Sequence, residues 1–200
     1  NHEFFFHAMR TGELVVPGKD ALIDKEIKNT CGFWSVNLYT RQMIDTRKAD
    51  SQGARYPFTK TQMLPMTFYL DEFFPECMIH NLTRLMDKPV YITENGCSCD
   101  DDRLRIVYLT EYLCALHEAI RCGVDVRGYL YWSLLDNYEW TSFIPRFGLV
   151  DVDRAHEHKR TPKPSAYFYR DMIQNNGFSQ EILRKYLTEM PRLPEYGAEK

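Results

Sequence analysis

The chain predicts an α/β fold built on parallel strands. Short β-branched and apolar runs alternate with longer stretches of helical periodicity. Each run also ends in polar, aromatic or glycine residues rather than in more core. Strand, helix and strand in short order imply parallel neighbours joined by right-handed crossovers. The 200 residues are 44% hydrophobic and include 13 Tyr, 12 Phe and 3 Trp, enough for one globular core. No composition shift, internal repeat or low-complexity segment marks a second domain.

Phe33-Trp34-Ser35-Val36-Asn37-Leu38-Tyr39 predicts the first strand, and a loop with Gly53 and Pro57 runs from 40 to about 66. Phe74, Met78, Leu82 and Leu85 recur at helical spacing and predict a helix over about 71–86. Pro75 is expected in its first turn, where a missing N–H costs little. Val90, Tyr91, Ile92 and Thr93 make the second strand, which Glu94 ends and Asn95-Gly96 turns. Gly96 would let another backbone pass close by.

Asp100, Asp101 and Asp102 offer caps and negative charge to the next helix. Its apolar stripe is Ile106, Leu109, Leu113, Leu116 and Ile120, and Gly123 closes it. Gly128-Tyr129-Leu130-Tyr131-Trp132-Ser133 predicts the third strand. A last amphipathic helix is expected over 162–187, opening at Pro162 and Pro164 and interrupted by Asn175-Asn176-Gly177, with a shorter helix at about 179–188. The tail 191–200 is expected to fray.

Net charge is −3, with 25 Lys and Arg against 28 Asp and Glu, so no basic field exists to hold a nucleic acid. No apolar run approaches membrane-span length. Cys31, Cys77, Cys97, Cys99, Cys114 and Cys122 show no zinc or thioredoxin spacing, and are read as reduced thiols of a cytoplasmic protein. Cys114 is expected as a small buried hydrophobe within its helix. His156 and His158 lie in the charged segment 154–160, read as a solvated loop rather than a metal pair. Asn81-Leu82-Thr83 is a formal glycosylation sequon on a predicted helix, read as accidental. The first residues carry no initiator Met and no signal-peptide pattern, and read like mid-chain sequence.

Chemistry is expected at the carboxyl ends of the strands. A glutamate after a strand is ordinarily solvated, and tryptophans are ordinarily core residues. Here, however, three consecutive strands end in the same kind of group. The first places Asn37 and Tyr39 there, and the second places Glu94. The third runs into Trp132-Ser133-Leu134-Leu135-Asp136-Asn137-Tyr138-Glu139-Trp140, then Arg146-Phe147-Gly148-Leu149. Indoles stack on the C–H faces of sugar rings, and carboxylates accept their hydroxyls.

These pieces resemble the carboxyl-terminal half of the family 1 glycoside hydrolases, the β-glucosidase-like enzymes. The matching stretches are Ile92-Thr93-Glu94-Asn95-Gly96, the 132–140 run, Arg146-Phe147-Gly148-Leu149, Arg160-Thr161-Pro162-Lys163 and Ser165-Ala166-Tyr167, in order. The resemblance implies an eight-stranded (β/α) TIM barrel and retaining hydrolysis of β-linked glucosides or galactosides. It implies that Glu94 is the nucleophile and that Tyr39 orients it. Asn37 would stand near the sugar, Trp132 beneath its ring, Glu139 on its hydroxyls, Trp140 beside it and Phe147 at the wall. No metal or organic cofactor is implied. The substrate would be a β-linked oligosaccharide or an aryl or alkyl glycoside.

Leu38 departs from the family, which has a second tyrosine there, and residues 61–68 lack its usual Gly-Trp pair. Both departures bear on the aglycone side, hence on acceptor preference. Retaining hydrolysis needs two carboxyl groups about 5–5.5 Å apart. The family's acid lies in an Asn-Glu-Pro sequence, which this chain lacks. Glu139 matches the sugar-binding glutamate, which must stay ionised, so it is no substitute. A whole barrel takes roughly 250 residues. The expectation is therefore a piece spanning strands six to eight over 1–190, opening inside an earlier helix. A longer parent chain or a partner chain would supply the other half. Two alternatives stand beside this reading: a sugar-binding half-barrel without turnover, and, well below it, a non-sugar barrel enzyme pairing Glu94 with Glu139.

Overall fold

The computed structural model describes residues 2–41, 61–62, 72–191 and 195–196. Most of the predicted 40–66 loop, with Gly53 and Pro57, lies outside them, as do residues 63–68. In chain order the elements are α1 (His2–Thr11), β1 (Glu13–Leu14), β2 (Leu22–Ile23), β3 (Trp34–Asn37), β4 (Thr61–Gln62), α2 (Cys77–Leu82) and β5 (Val90–Asn95). There follow α3 (Asp102–Arg121), β6 (Val126–Tyr131), β7 (Val150–Asp153), β8 (Lys159–Pro162), α4 (Pro164–Asn175), α5 (Gln180–Tyr186) and β9 (Glu195–Tyr196).

The predicted strands form one parallel sheet in the order β3-β5-β6. Trp34 pairs with Val90 and Val36 with Ile92, while Val90 pairs with Val126 and Ile92 with Tyr129. Trp34, Val90 and Ile92 are buried with Met78, Leu82, Tyr108 and Tyr112 from α2 and α3, so one sheet face carries the core. Each such side chain contributes about 1.5–3 kcal/mol when removed from water. The other face is more open, with Ser35, Asn37, Thr93 and Leu130 exposed. Tyr91 crosses that face over Gly128, where a Cβ would lie 2.6 Å from the Tyr91 ring. A second cluster joins Ile106 and Leu109 of α3 to Tyr131, Phe168, Met172 and Leu187.

Helix α3 begins as expected, with the Asp101 side chain accepting the Arg103 N–H at 3.0 Å. It ends before Gly123, whose φ of 100° suits a residue without Cβ. Its buried stripe runs Leu104, Tyr108, Tyr112, Leu116 and Ala119 as well as Ile106 and Leu109. Ile120, predicted inward, is exposed because Ala119 takes the core position one residue earlier. Cys114 is also exposed, correcting its expected burial. Two residues past Tyr112 is about 200° around the helix, away from the stripe.

The helix expected over 71–86 is only the six residues of α2. Pro75 lies before it rather than in its first turn. Phe74, like any residue preceding proline, is disfavoured in helix, and its N–H goes to the Tyr112 hydroxyl at 3.2 Å. β3 is shorter than 33–39, β5 runs past 93 to Asn95, and β6 is 126–131 rather than 128–133. The hairpin β7–β8, paired from Val150–Pro162 to Asp153–Lys159, is not predicted from the sequence and ends just before the expected last helix. The helix starts with Pro164 in its first turn, and Asn176 at φ 50° ends it where an interruption was predicted. In the tail, β9 pairs with β4, and residues 192–194 and 197–200 lie outside the described ones. No helix among the described residues is long and apolar enough to cross a membrane.

Candidate active site

Glu94 sits at the carboxyl end of the central strand, in register with Asn37 of β3. The Tyr39 hydroxyl donates to Glu94 Oε2 at 2.8 Å. Thr93 Oγ1 donates to Asn37 Oδ1 at 2.7 Å, which links the neighbouring strand ends. Leu38 N–H reaches Glu94 O at 2.9 Å, so β3 follows β5 past its formal end. Leu38 itself packs against the core cluster, so alternation along the strand sends Tyr39 towards Glu94.

Asn95 does not turn the chain as expected. It ends β5 fully buried, and both the nitrogen and the oxygen of its amide are paired. Nδ2 donates to Leu38 O at 2.6 Å and to the Tyr108 hydroxyl at 2.7 Å, while Oδ1 accepts from Tyr129 at 2.7 Å. One side chain thus ties β3, β6 and α3 to the residue beside Glu94. Gly96 does what was predicted of it. A Cβ there would lie 1.9 Å from the Trp132 carbonyl oxygen, so only glycine lets the two strand ends converge. Trp132 N–H donates back to Asn95 O at 2.9 Å.

Trp132 follows β6 and donates from Nε1 to Glu139 Oε2 at 3.0 Å. Glu139 is 9% exposed and anchors a tight turn through paired backbone bonds with Ser142. Trp132 is half-buried and stands outside both core clusters, whereas Trp34 is the tryptophan of the core. Trp140 is 78% exposed at a φ of 41°. Phe147 is buried, and its carbonyl accepts Ser133 N–H at 3.3 Å. The structure thus joins Tyr39 to Glu94 and Trp132 to Glu139. Trp140 follows Glu139 in the chain and is exposed, and Phe147 is buried with its backbone paired to Ser133, the residue after Trp132.

The loop bearing Glu139 is braced from below. Asp136 Oδ1 accepts Gly148 N–H at 2.7 Å, and Lys163 Nζ donates to Asp136 Oδ2 at 3.0 Å and to Gly148 O at 2.7 Å. Burial pulls the Lys163 ammonium below its ordinary pKa, and nearby Arg105 adds to this, against the opposing pull of Asp136. The loop that follows Glu94 is tied to Arg105, which is fully buried and bonded to the Tyr131 hydroxyl and to the carbonyls of Cys99 and Arg146. These supporting residues carried no sequence signal beyond polarity at helical or loop positions. A buried Arg is rare enough that only the structure reveals it. No cluster of three or more His, Cys, Asp or Glu suited to a metal occurs among the described residues. His156 is exposed at the β7–β8 turn and paired with Asp153 at 2.7 Å.

Comparison with known proteins places this geometry. The family model for glycosyl hydrolase family 1 matches residues 9–178. A β-galactosidase of Saccharolobus solfataricus is 35% identical over 203 residues, covering 96% of this chain and 40% of that protein. β-Glucosidase A of Thermotoga maritima is 35% identical over 167 residues, 76% of this chain and 36% of the relative. Among solved structures, a β-glycosidase from Pyrococcus horikoshii superposes with a TM-score of 0.72 at 33% identity, covering 92% of this chain and 43% of that one. A family 1 β-glucosidase from Thermotoga maritima gives 0.76 at 29% identity, with 90% and 45% covered. The chain therefore spans about two-fifths of the length of the relatives it matches, which are TIM-barrel glycosidases. With the match running through the sheet and both strand-end pairs, the chain belongs to glycosyl hydrolase family 1.

Proposed function

We propose that this chain contributes strands six to eight of a glycosidase barrel, and that Glu94 is the nucleophile in retaining hydrolysis of β-glucosides or β-galactosides. The observation that carries the reading is the Tyr39 hydroxyl donating to Glu94 at the carboxyl end of a parallel sheet. In the proposed reaction Glu94 attacks the anomeric carbon while a carboxylic acid of the remaining barrel protonates the leaving oxygen. Water then displaces the glycosyl group from Glu94, with that acid now serving as base. Trp132 offers the ring platform, Glu139 accepts sugar hydroxyls, and Asn37, Trp140 and Phe147 bound the glycone. A β-glucosidase from Thermotoga maritima has been solved in complex with castanospermine and with deoxynojirimycin, which supports a polyhydroxylated ligand for this site as well. The other half of the barrel would come from a longer parent chain or a partner.

The test is covalent labelling. With the remaining barrel half present, a 2-deoxy-2-fluoro β-glycoside bearing an activated leaving group should attach at Glu94, read by peptide mass. Attachment to any other carboxylate overturns the assignment. Tyr39→Phe should lower kcat roughly tenfold to a hundredfold with melting temperature held, because it releases the nucleophile from its orienting bond. Unchanged kcat would remove Tyr39 from the mechanism. The absent Asn-Glu-Pro sequence favours a second reading for this chain alone, a sugar binder without turnover. An activated aryl glycoside with added azide separates the two, since such substrates need little acid assistance. Sugar binding with no turnover under those conditions selects the binder.

A further inference from the structure

The loop leaving β5 carries Cys97 and Cys99 immediately after Glu94-Asn95-Gly96. Their sulfurs stand 3.9 Å apart, and both residues are buried. The loop is held by long bonds on one side: Cys99 N–H to Arg146 O at 3.4 Å and Cys97 N–H to the Tyr131 hydroxyl at 3.4 Å. Ser98 is held more firmly, its Oγ accepting Arg146 N–H at 2.9 Å.

We propose that Cys97 and Cys99 are a modification site, a dithiol that hydrogen peroxide converts to a disulfide in the loop beside Glu94. Cys99 is the attacking sulfur. The hydrogen bond between the two sulfurs, and then nearby Arg105, hold its thiol below the ordinary range despite burial. Burial pushes the Cys97 thiol up, so Cys97 remains protonated and resolves the second step. First, the Cys99 thiolate attacks one peroxide oxygen; an S–O bond forms, the O–O bond breaks and hydroxide leaves. Then the Cys97 sulfur attacks Cys99, the S–S bond forms, the S–O bond breaks, and the departing hydroxide takes the Cys97 proton as water. Counted from two thiols, the sulfurs lose two electrons and two protons, and the peroxide becomes two waters.

The sulfurs must approach from 3.9 Å to about 2.05 Å, a shift that side-chain rotation and the slack 3.4 Å bonds can absorb. Opening of the same bonds admits a molecule as small as peroxide, beside Asp100, which is exposed. The exposed cysteines offer no equivalent. Cys114 and Cys122 lie eight residues apart along α3 and its cap, about 12 Å, too far to bridge. Burial raises the Cys77 thiol to about 12, which leaves it unreactive.

The experiment treats the folded chain with hydrogen peroxide, alkylates it after denaturation, and weighs the peptide bearing both cysteines. The expected product has lost two hydrogens, resists alkylation at both positions, and regains both alkyl groups after dithiothreitol. Cys114→Ser with Cys122→Ser should leave that product unchanged, whereas Cys97→Ser should replace it by oxygenated Cys99. Phenylarsine oxide, which needs two close thiols, should bind the reduced chain and fail after peroxide. Alkylation of both thiols after peroxide, or oxygenated Cys99 with Cys97 intact, overturns the proposal. These readouts are independent of glycosidase activity, so their failure and that of the proposed function are distinguishable.

Discussion

Glu94→Gln should reduce turnover of an aryl β-glucoside by on the order of 10⁴-fold or more, the scale of losing a covalent nucleophile. That corresponds to about 5.5 kcal/mol of barrier. Glutamine keeps the length and one acceptor oxygen, so the Tyr39 hydroxyl retains a partner. Glu94 is half-buried on the rim and belongs to neither core cluster, so stability should move by no more than about 0.5 kcal/mol. Loss of rate with an unchanged unfolding curve therefore assigns the effect to chemistry. The stronger check uses Glu94→Ala with azide, in the barrel that carries the acid. A small anion entering the vacated space attacks the same face as Glu94 did, and a β-glucoside then yields the α-glycosyl azide. Wild-type turnover in Glu94→Gln, or a β-azide from Glu94→Ala, would falsify the nucleophile assignment.

The parts legible in the sequence are those set by short-range rules. Aromatic and β-branched residues placed β3 and β5, Asp101 and Gly123 bounded α3, and Asn176 ended α4. Glu94 was identifiable because a strand pattern stops on a carboxylate, and Trp132 because it sits at the same end of the next strand. Asn95 departs from its sequence signal for a physical reason. Its turn propensity is local, whereas three hydrogen bonds to Leu38, Tyr108 and Tyr129 come from distant elements and hold it in the strand. The helix expected near 71 failed similarly, since the apolar spacing of Phe74 and Met78 could not reveal that Phe74 N–H is claimed by Tyr112. In hairpin β7–β8 the alternation of Val150-Asp151-Val152-Asp153 lasts only four residues, and its partner Lys159-Arg160-Thr161-Pro162 is polar and exposed throughout, which leaves too little pattern to read. Tertiary satisfaction of polar groups, more than packing, is what periodicity did not disclose.

Arg105 is the sharpest case, and Arg105→Met should cost about 3–5 kcal/mol, the loss expected when one partner leaves a buried ion pair. Its side chain is fully buried and ion-paired with Asp102, which also accepts Ser165 N–H at 2.7 Å and Oγ–H at 2.8 Å. Nε donates to the Tyr131 hydroxyl at 3.1 Å, and Nη2 donates to Cys99 O at 3.2 Å and to Arg146 O. Methionine fills similar volume, so packing is largely conserved while these acceptors lose their donor. Urea unfolding should show a lower midpoint with the slope retained, the signature of altered stability rather than altered compactness. Adding Asp102→Asn should recover part of the loss, because it removes the stranded charge yet keeps groups that can bond Ser165. Recovery separates electrostatic desolvation from lost contact area. A single-variant cost below about 1 kcal/mol would mean that the pair's desolvation penalty cancels its attraction, and that the other bonds of the loop after Glu94, those of Ser98 and Asn95 among them, suffice to hold it.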